Sequence, residues 1–324
     1  MRAITVEHWM EPSELRVSEI PEPKAGPGAL QVEVRAAGCN FFDTLIVQGK
    51  YQVKPAFPFT PGGEISGVVS AVGEGVEGFA VGDRVLAGTQ TGGFAETAVV
   101  PANFTQLLPD GMSFEEGAAI PIIYPTSYAA LVFRANLQAG ETLLVHAAAG
   151  GVGSAALQIG KALGARVIAT VGGAEKAQIA RSLGADEVVD YRVDDFIARV
   201  NEITGGSGAD VIYDPVGGDV FDRSLKCIAW NGRLLVVGFA SGRIPAVKAN
   251  RILLKNIAVT GIHWGAYLVN EPAKVPETFE SLFALYRDGM IKPLIYNTYA
   301  LEDLPSALAE LTSRKTHGKL IITP

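Results

Sequence analysis

A ten-residue segment, VHAAAGGVGS (residues 145–154), carries three glycines and three alanines between two apolar runs. Glycines where a strand turns into a helix permit unusual backbone angles, admit a pyrophosphate and let helix and strand pack closely. The N-terminus of the helix adds free N–H groups that attract phosphates. The segment is a variant of the GxGxxG pattern, so we predict that Gly150, Gly151, Val152 and Gly153 bind the pyrophosphate of a dinucleotide.

The end of the next strand predicts which dinucleotide is bound. An Asp or Glu at that place holds the ribose hydroxyls of NAD, but residues 170–173 are TVGG. Without an acid there, the end of the strand does not repel a 2′-phosphate, although Glu175 is an adverse neighbour unless it points to solvent. Lys176 and Tyr191 can donate hydrogen bonds to it, and Arg192 is a further candidate donor. We therefore expect NADPH rather than NADH as the cofactor.

The glycine segment lies within a regular alternation of apolar strands and helices. The strands are uniformly apolar, which is typical of a parallel sheet covered on both faces. We predict six strands, at 142–146, 165–170, 186–190, 209–214, 233–238 and 257–262. We predict helices between and around them at 152–164, 174–184, 196–204, 220–229 and 249–256. Together they form a six-stranded parallel Rossmann domain.

The regions on either side of this alternation have a different residue pattern. Residues 1–120 contain short strands bounded by Gly or Pro, and residues 29–38 alternate apolar and polar side chains as a half-buried strand does. They predict a partly open β-barrel. The tail predicts a helix over 274–289, a strand near 293–300, a helix over 303–313 and a closing strand, which together return to the first domain. The predicted domains are therefore 1–121 with 267–324, and 122–266.

Composition excludes several classes of protein. The chain has 324 residues, 48% of them hydrophobic, and a net charge of −7. It contains no basic run that would suit nucleic acid, and no apolar stretch of about 18 residues that would span a membrane. The N-terminus has no apolar run typical of a signal peptide. Two distant cysteines, Cys39 and Cys227, favour a reducing compartment, so we expect a cytoplasmic protein.

Several segments resemble one known family. Residues 61–85, PGGEISGVVSAVGEGVEGFAVGDRV, resemble the signature of the GroES-like β-domain of the medium-chain dehydrogenase/reductases. Residues 143–165 resemble the cofactor loop of that superfamily. Residues 37–51, AGCNFFDTLIVQGKY, resemble its zinc-free quinone oxidoreductase branch, that of zeta-crystallin. The resemblance covers nearly the whole chain and implies a GroES-like domain joined to a Rossmann domain.

The resemblance also bears on zinc, which many members of the superfamily bind. Asn40 stands where those members have a cysteine ligand, and Gly63 where they have a histidine ligand. The segment with four further cysteines is absent. A tetrahedral zinc site needs three or four converging ligands. We therefore expect no metal, and no alcohol oxidation through a metal-bound alkoxide.

The resemblance implies further contacts with the cofactor. It places Asn40 beside the nicotinamide ribose, and Gly238 and Phe239 along the nicotinamide. Thr126 touches the cofactor, and Arg314 resembles an arginine that lies near it.

Four aromatic residues are candidates for the substrate wall: Tyr51, Tyr124, Trp264 and Tyr267. Each could instead be an ordinary core or interface aromatic. Our candidate catalytic residues are Asn40 and two of these aromatics, Tyr51 and Tyr124. Asp43 is expected to brace the Asn40 loop rather than act as a base.

The expected function is hydride transfer from NADPH to a quinone without zinc. Reduction of the double bond of an enone or enal is an alternative, because Leu45 stands where many quinone reductases have a tyrosine. A third possibility, of another class, is an NADPH-binding protein with a structural or sensory role. The apolar last strand of the sheet predicts a homodimer, since such edges tend to be paired.

Overall fold

The computed structural model describes residues 1–324. The chain forms two compact units: unit 1 is Met1–Ile122 with Pro293–Pro324, and unit 2 is Ile123–Lys292. None of the helices is both long and apolar enough to cross a lipid bilayer.

The chain contains fifteen strands. They are β1 (Arg2–Ile4), β2 (Val17–Glu19), β3 (Ala29–Gly38), β4 (Glu64–Val72), β5 (Arg84–Gly88), β6 (Thr97–Pro101), β7 (Thr105–Leu107), β8 (Thr142–Val145), β9 (Arg166–Val171), β10 (Glu187–Asp190), β11 (Ala209–Asp214), β12 (Ile228–Val236), β13 (Ala258–Gly261), β14 (Ile295–Ala300) and β15 (Lys319–Thr323).

Eleven α-helices accompany the strands. They are α1 (Phe41–Val47), α2 (Phe114–Ala118), α3 (Ile123–Tyr128), α4 (Gly151–Ala162), α5 (Ala174–Ser182), α6 (Phe196–Ile203), α7 (Gly218–Ser224), α8 (Ala249–Lys255), α9 (Tyr267–Asn270), α10 (Lys274–Arg287) and α11 (Leu304–Thr312). Helix α3 continues as a π-helical segment over Ala129–Arg134.

Unit 1 is built on a seven-stranded sheet with the order β14-β15-β3-β4-β5-β7, in which β6 also pairs with β3. Its pairs are antiparallel except for β14 with β15. Strand β3 has the predicted bounds, and its alternate side chains Leu30, Val32 and Val34 are buried in the core. Alternation places one face of a strand inside. The β-rich first domain is confirmed, and residues 293–324 of the tail group with it.

Unit 2 is built on a six-stranded parallel sheet with the order β10-β9-β8-β11-β12-β13. All six predicted strands are present, so the Rossmann prediction is confirmed. The chain runs outward from β8 to β9 on one side and returns to β11 on the other. Ligands of such sheets bind beyond the carboxyl end of the strand where the order reverses. The glycine segment follows β8 and therefore lies at that point.

Two boundaries differ from the predictions. The predicted helix 220–229 ends at Ser224, because strand β12 already begins at Ile228. Residues 267–292, which we expected in the first domain, group with unit 2. The physical reason is packing: Phe279 of α10 lies against Trp264, with ring centroids 6.5 Å apart, and the Lys274 ammonium lies over the Phe133 ring.

Candidate cofactor and active site

The turn after β8 is shaped by close backbone approaches. The left-handed angle belongs to Ala147 (φ 50°) and not to a glycine, and the Gly150 N–H donates to the Ala147 carbonyl at 2.8 Å. A Cβ atom on Gly153 would lie 2.2 Å from that same carbonyl oxygen. Position 153 therefore accepts no side chain unless the turn moves. The close approach is between the start of α4 and the turn that follows β8.

The N-terminus of α4 has unused donors. The first N–H bonded within the helix is that of Ser154, which donates to the Gly150 carbonyl at 2.8 Å. The N–H groups of Gly151, Val152 and Gly153 precede it and have no acceptor in the protein. Gly150 is the N-cap and supplies no side-chain cap. Free N–H groups at the positive end of a twelve-residue helix form an anion-binding site.

Two further side chains brace this region. The ring of His146, at the end of β8, is buried with Nδ1 2.9 Å from Thr170 Oγ1 and Nε2 2.8 Å from Ser224 Oγ. Burial lowers its pKa to about 3, so the ring is neutral and structural. Ser127, which we did not identify from the sequence, lies with Oγ 3.1 Å from the Val152 carbonyl. Its neighbour Thr126 is half-buried on the same helix.

Three donors gather at the end of β9. A Cβ on Gly172 would lie 2.5 Å from the Tyr191 hydroxyl, and a Cβ on Gly173 would lie 2.9 Å from an Arg192 guanidinium nitrogen. Both side chains therefore pack over bare backbone. Half-burial, together with the charge of Arg192, lowers the pKa of Lys176. The two cations are thus neighbours, which is a favourable arrangement for a phosphate dianion.

The carboxylate of Asp190, at the end of β10, is bonded to backbone N–H groups. Asp190 Oδ1 accepts hydrogen bonds from the Gly173 N–H at 2.9 Å and the Arg192 N–H at 3.0 Å. It shapes the turn that carries Tyr191, whose side chain is 55% exposed. No carboxylate follows β9 itself, as the sequence predicted.

The loop after β12 is tied to the loop after β11. The Ala240 N–H donates to the Pro215 carbonyl at 3.1 Å, which secures the segment containing Gly238 and Phe239. Asp214 is buried, and its Oδ1 accepts from the Val216 and Gly217 N–H groups. Burial raises its pKa. Its role is to hold a turn.

A buried polar cluster surrounds Asn40 in unit 1. The Lys319 ammonium donates to Asn40 Oδ1 at 2.8 Å and to Glu64 Oε1 at 2.5 Å, and Asn40 Nδ2 donates to Glu64 Oε1 at 2.8 Å. The Asn40 N–H donates to Asp43 Oδ2 at 2.7 Å. Asp43 is fully buried, and burial raises its pKa to about 7. Sequence reasoning predicted the brace from Asp43 and missed Lys319 and Glu64.

The residues in unit 1 do not fit a zinc ion. A Cβ on Gly63 would lie 2.3 Å from Phe42 Cζ, so the phenyl ring fills the space that a histidine would need. The Asn40 amide is engaged by an ammonium and a carboxylate. Cys39 Sγ belongs to a buried thiol whose pKa is raised, mainly by burial, which disfavours the thiolate that zinc requires.

The candidate aromatics occupy different environments. Tyr124 is fully buried, and its hydroxyl accepts a hydrogen bond from Gln158 Nε2 at 3.2 Å. Trp264 is buried and stacks on Tyr267 with ring centroids 5.5 Å apart. These are environments of core aromatics. Tyr51 is half-buried in unit 1 and stacks on Phe42 at 5.4 Å.

The predicted site residues divide between the two units. Unit 2 carries the glycine turn, Thr126, Lys176, Tyr191 and the Gly238–Phe239 loop, whereas unit 1 carries Asn40, Tyr51 and Arg314. Arg314 is exposed in the turn between α11 and β15, and its backbone is in the left-handed region (φ 61°).

Comparison with known proteins assigns the chain to a family. Residues 26–110 match the alcohol dehydrogenase GroES-like domain, and residues 151–285 match the zinc-binding dehydrogenase family. The second match does not include Asn40 or Gly63, which stand at the positions of zinc ligands. A quinone oxidoreductase-like protein 2 homolog of Nematostella vectensis is 42% identical over 92% of this chain and 82% of its own length.

Solved structures agree with the sequence comparison. The quinone oxidoreductase of Pseudomonas syringae is 37% identical, with a TM-score of 0.93 over 100% of this chain and 99% of its own. The Escherichia coli quinone oxidoreductase, solved in complex with NADPH, is 34% identical, with a TM-score of 0.91 over all of both chains. The chain therefore belongs to the quinone oxidoreductase branch of the medium-chain dehydrogenase/reductase superfamily.

Proposed function

We propose that this protein is an NADPH-dependent oxidoreductase that transfers hydride to a quinone without a metal. The observation that carries the proposal is the group of Lys176, Tyr191 and Arg192 around the bare backbone after β9, where the two residues that follow the strand are Gly172 and Gly173. The NADPH complex of the Escherichia coli relative supports the same cofactor. The quinone oxidoreductases among its relatives support the acceptor.

Each part of the cofactor has protein groups suited to it. Lys176 and Tyr191 hold the 2′-phosphate, and the N–H groups of Gly151, Val152 and Gly153 hold the pyrophosphate. Gly150 is the N-cap residue that precedes these N–H groups. When bound, NADPH supplies the hydride, and the carbonyl of the acceptor delocalises the incoming charge.

The protein groups proposed at the nicotinamide end come from five separate segments of the chain. The Gly238–Phe239 loop lies along the ring, with Thr126 touching the cofactor, and Arg314 lies near it. Asn40 contacts the nicotinamide ribose. Tyr51, half-buried with a hydroxyl, is the candidate for contact with the acceptor, whereas Tyr124 is fully buried and its hydroxyl is bonded to Gln158.

The acceptor is tested by NADPH oxidation against a panel of quinones, enals and enones. Turnover with quinones well above that with the other classes is expected. Turnover confined to enals or enones would replace the proposal by double-bond reduction. Tight NADPH binding with no turnover on any member would indicate the structural or sensory role instead.

Zinc independence is a direct prediction from the crowding at Gly63. We expect purified protein to contain far less than one zinc per chain, and NADPH oxidation to continue at its full rate in the presence of a chelator. The reason is that Phe42 occupies the space of a ligand and Asn40 is already bonded. Metal analysis and a chelator titration measure both. Stoichiometric zinc, or activity lost to the chelator and restored by zinc, would contradict the prediction.

A homodimer is predicted from unit 2. Strand β13 is the edge of the parallel sheet, and nearby α8 has no buried residue, with Leu253 and Leu254 78% and 70% exposed. An open, apolar edge is unfavourable in water and tends to be covered. Light scattering at micromolar concentration should give twice the mass of one chain.

A matched pair of variants tests that surface. We expect Leu253→Glu combined with Leu254→Glu to shift the protein towards a single chain. Val81→Glu, which alters an equally exposed apolar residue of unit 1, should leave the mass unchanged. A wild-type protein that is monomeric under these conditions would refute the prediction.

A further inference from the structure

The polar cluster around Asn40 is assembled from three distant parts of the chain. Asn40 precedes α1, Glu64 begins β4, and Lys319 begins β15, so the ion pair joins residues 255 positions apart. The side chains of Lys319 and Glu64 are only 2% and 0% exposed. Neither can reach solvent or a ligand easily. A buried ion pair is retained only where other hydrogen bonds satisfy it.

Both members of the ion pair are satisfied by hydrogen bonds. Lys319 has three N–H donors, and it donates to the Cys39 carbonyl at 2.7 Å, to Asn40 Oδ1 and to Glu64 Oε1. The other oxygen of Glu64 accepts from the Ile122 N–H at 2.9 Å. A Cβ on Gly38 would lie 2.6 Å from Glu64 Oε1, so that glycine makes room for the carboxylate.

These charges permit one orientation of the Asn40 amide. An ammonium only donates and a carboxylate only accepts. The amide oxygen must therefore face Lys319 and the amide nitrogen must face Glu64, as the distances of 2.8 Å show for both. A flipped amide would place two donors together and two acceptors together.

The backbone of the same residue is held independently. The Asn40 N–H donates to Asp43 Oδ2 at 2.7 Å, and the Asp43 N–H donates to the Asn40 carbonyl at 3.1 Å, at the start of α1. Asp43 therefore fixes where residue 40 lies, whereas Lys319 and Glu64 fix which way its side chain is turned.

We propose that Lys319 and Glu64 are positioning residues that set the orientation of the Asn40 amide for its contact with the cofactor. This inference rests on the proposed function, in which Asn40 meets the nicotinamide ribose. The Asn40 nitrogen donates to Glu64 and, at 3.4 Å, to the Gly38 carbonyl, while its oxygen accepts from Lys319 and keeps one lone pair of known position. A ribose hydroxyl can donate to that lone pair.

The test separates orientation from stability. Lys319→Met combined with Glu64→Gln removes both charges, so neither is left buried without a partner. We expect this variant to fold but to lose about 10- to 100-fold in kcat/KM for NADPH, the scale of one charge-assisted hydrogen bond. Lys161→Met, which breaks a partly exposed ion pair with Asp186 in unit 2, is the control and should keep wild-type kcat/KM.

A double-mutant cycle that combines the charge-free variant with Asn40→Ala tests whether the two charges act through Asn40. If they act through Asn40, the two charge-removing substitutions should cost little more once Asn40 is already alanine. Lys319→Arg, which keeps a cation with donors, should recover part of the activity lost in Lys319→Met. A stably folded charge-free variant with wild-type kcat/KM, additive losses in the cycle, or equal losses for Met and Arg would overturn the proposal.

A spectroscopic reading keeps the inference separate from the proposed function. The side-chain amide signals of Asn40, assigned by their absence in Asn40→Ala, should shift in the charge-free variant without any cofactor present. Unchanged signals would overturn the positioning role. If the wild type neither binds nor oxidises NADPH, but the Asn40 signals shift in the charge-free variant, the proposed function is overturned. The orientation of Asn40 by Lys319 and Glu64 would still stand.

Discussion

Gly153→Ala is expected to lower the affinity for NADPH and NADH together, by about 100-fold. A Cβ at this position would lie 2.2 Å from the Ala147 carbonyl oxygen and 2.8 Å from the Ala147 carbonyl carbon. The turn or the first turn of α4 must move, and the free N–H groups move with it. Losing one or two charge-assisted hydrogen bonds to the pyrophosphate, at about 1.5–3 kcal/mol each, accounts for that scale.

Gly150→Ala is the matched control for this substitution. Its Cβ would meet only the Ala147 carbonyl oxygen at 3.2 Å, and its φ of −81° suits any residue. We expect a small loss of affinity. Fluorescence titration with both cofactors, alongside the midpoint of thermal unfolding, measures the effect. Equal behaviour of the two variants, or a loss for one cofactor alone at Gly153, would contradict a shared pyrophosphate site.

Lys176→Ala is expected to lower the affinity for NADPH by about 10- to 100-fold and to leave that for NADH nearly unchanged. The ammonium is half-buried beside Arg192, and its lowered pKa reflects burial and that neighbouring cation. A phosphate dianion between the two relieves their repulsion and accepts a charge-assisted hydrogen bond of about 1.5–3 kcal/mol. NADH has no phosphate at this position to lose.

Lys161→Ala serves as the control for the loss of a surface cation. Lys161 is paired with Asp186 in unit 2, away from the end of β9, and both affinities should stay at the wild-type value. Titration of each variant with each cofactor is sufficient. An equal loss of both cofactors in Lys176→Ala, or tighter binding of NADH than NADPH by the wild type, would refute the specificity while leaving the fold intact.

The sequence by itself determined the arrangement of the elements. Strand β3 was predicted with its observed bounds, and all six strands of unit 2 were predicted in order. Both signals are local: alternation reveals a half-buried strand, and continuous apolar runs separated by helices reveal a parallel sheet. The glycine segment was placed correctly for the same reason, because its neighbours along the chain are also its neighbours in space.

Only the tertiary structure decided which residues distant in the chain contact each other. No local pattern indicates that Lys319 reaches Glu64, that Phe42 fills the space beside Gly63, or that Ala147 takes the left-handed angle in place of a glycine. A lysine at the start of a strand is usually exposed, and this one is buried with three acceptors that are distant in the chain. The assignment of residues 267–292 to unit 2 likewise depends on packing.

The difference has one physical cause. Periodicity reports which face of an element is apolar, and turn residues report where the chain reverses, since both follow from interactions within a few residues. Burial of a charge, crowding of a ligand position and the direction of an amide depend on groups far apart in the chain. They are decided only when the core closes and every buried donor must find an acceptor.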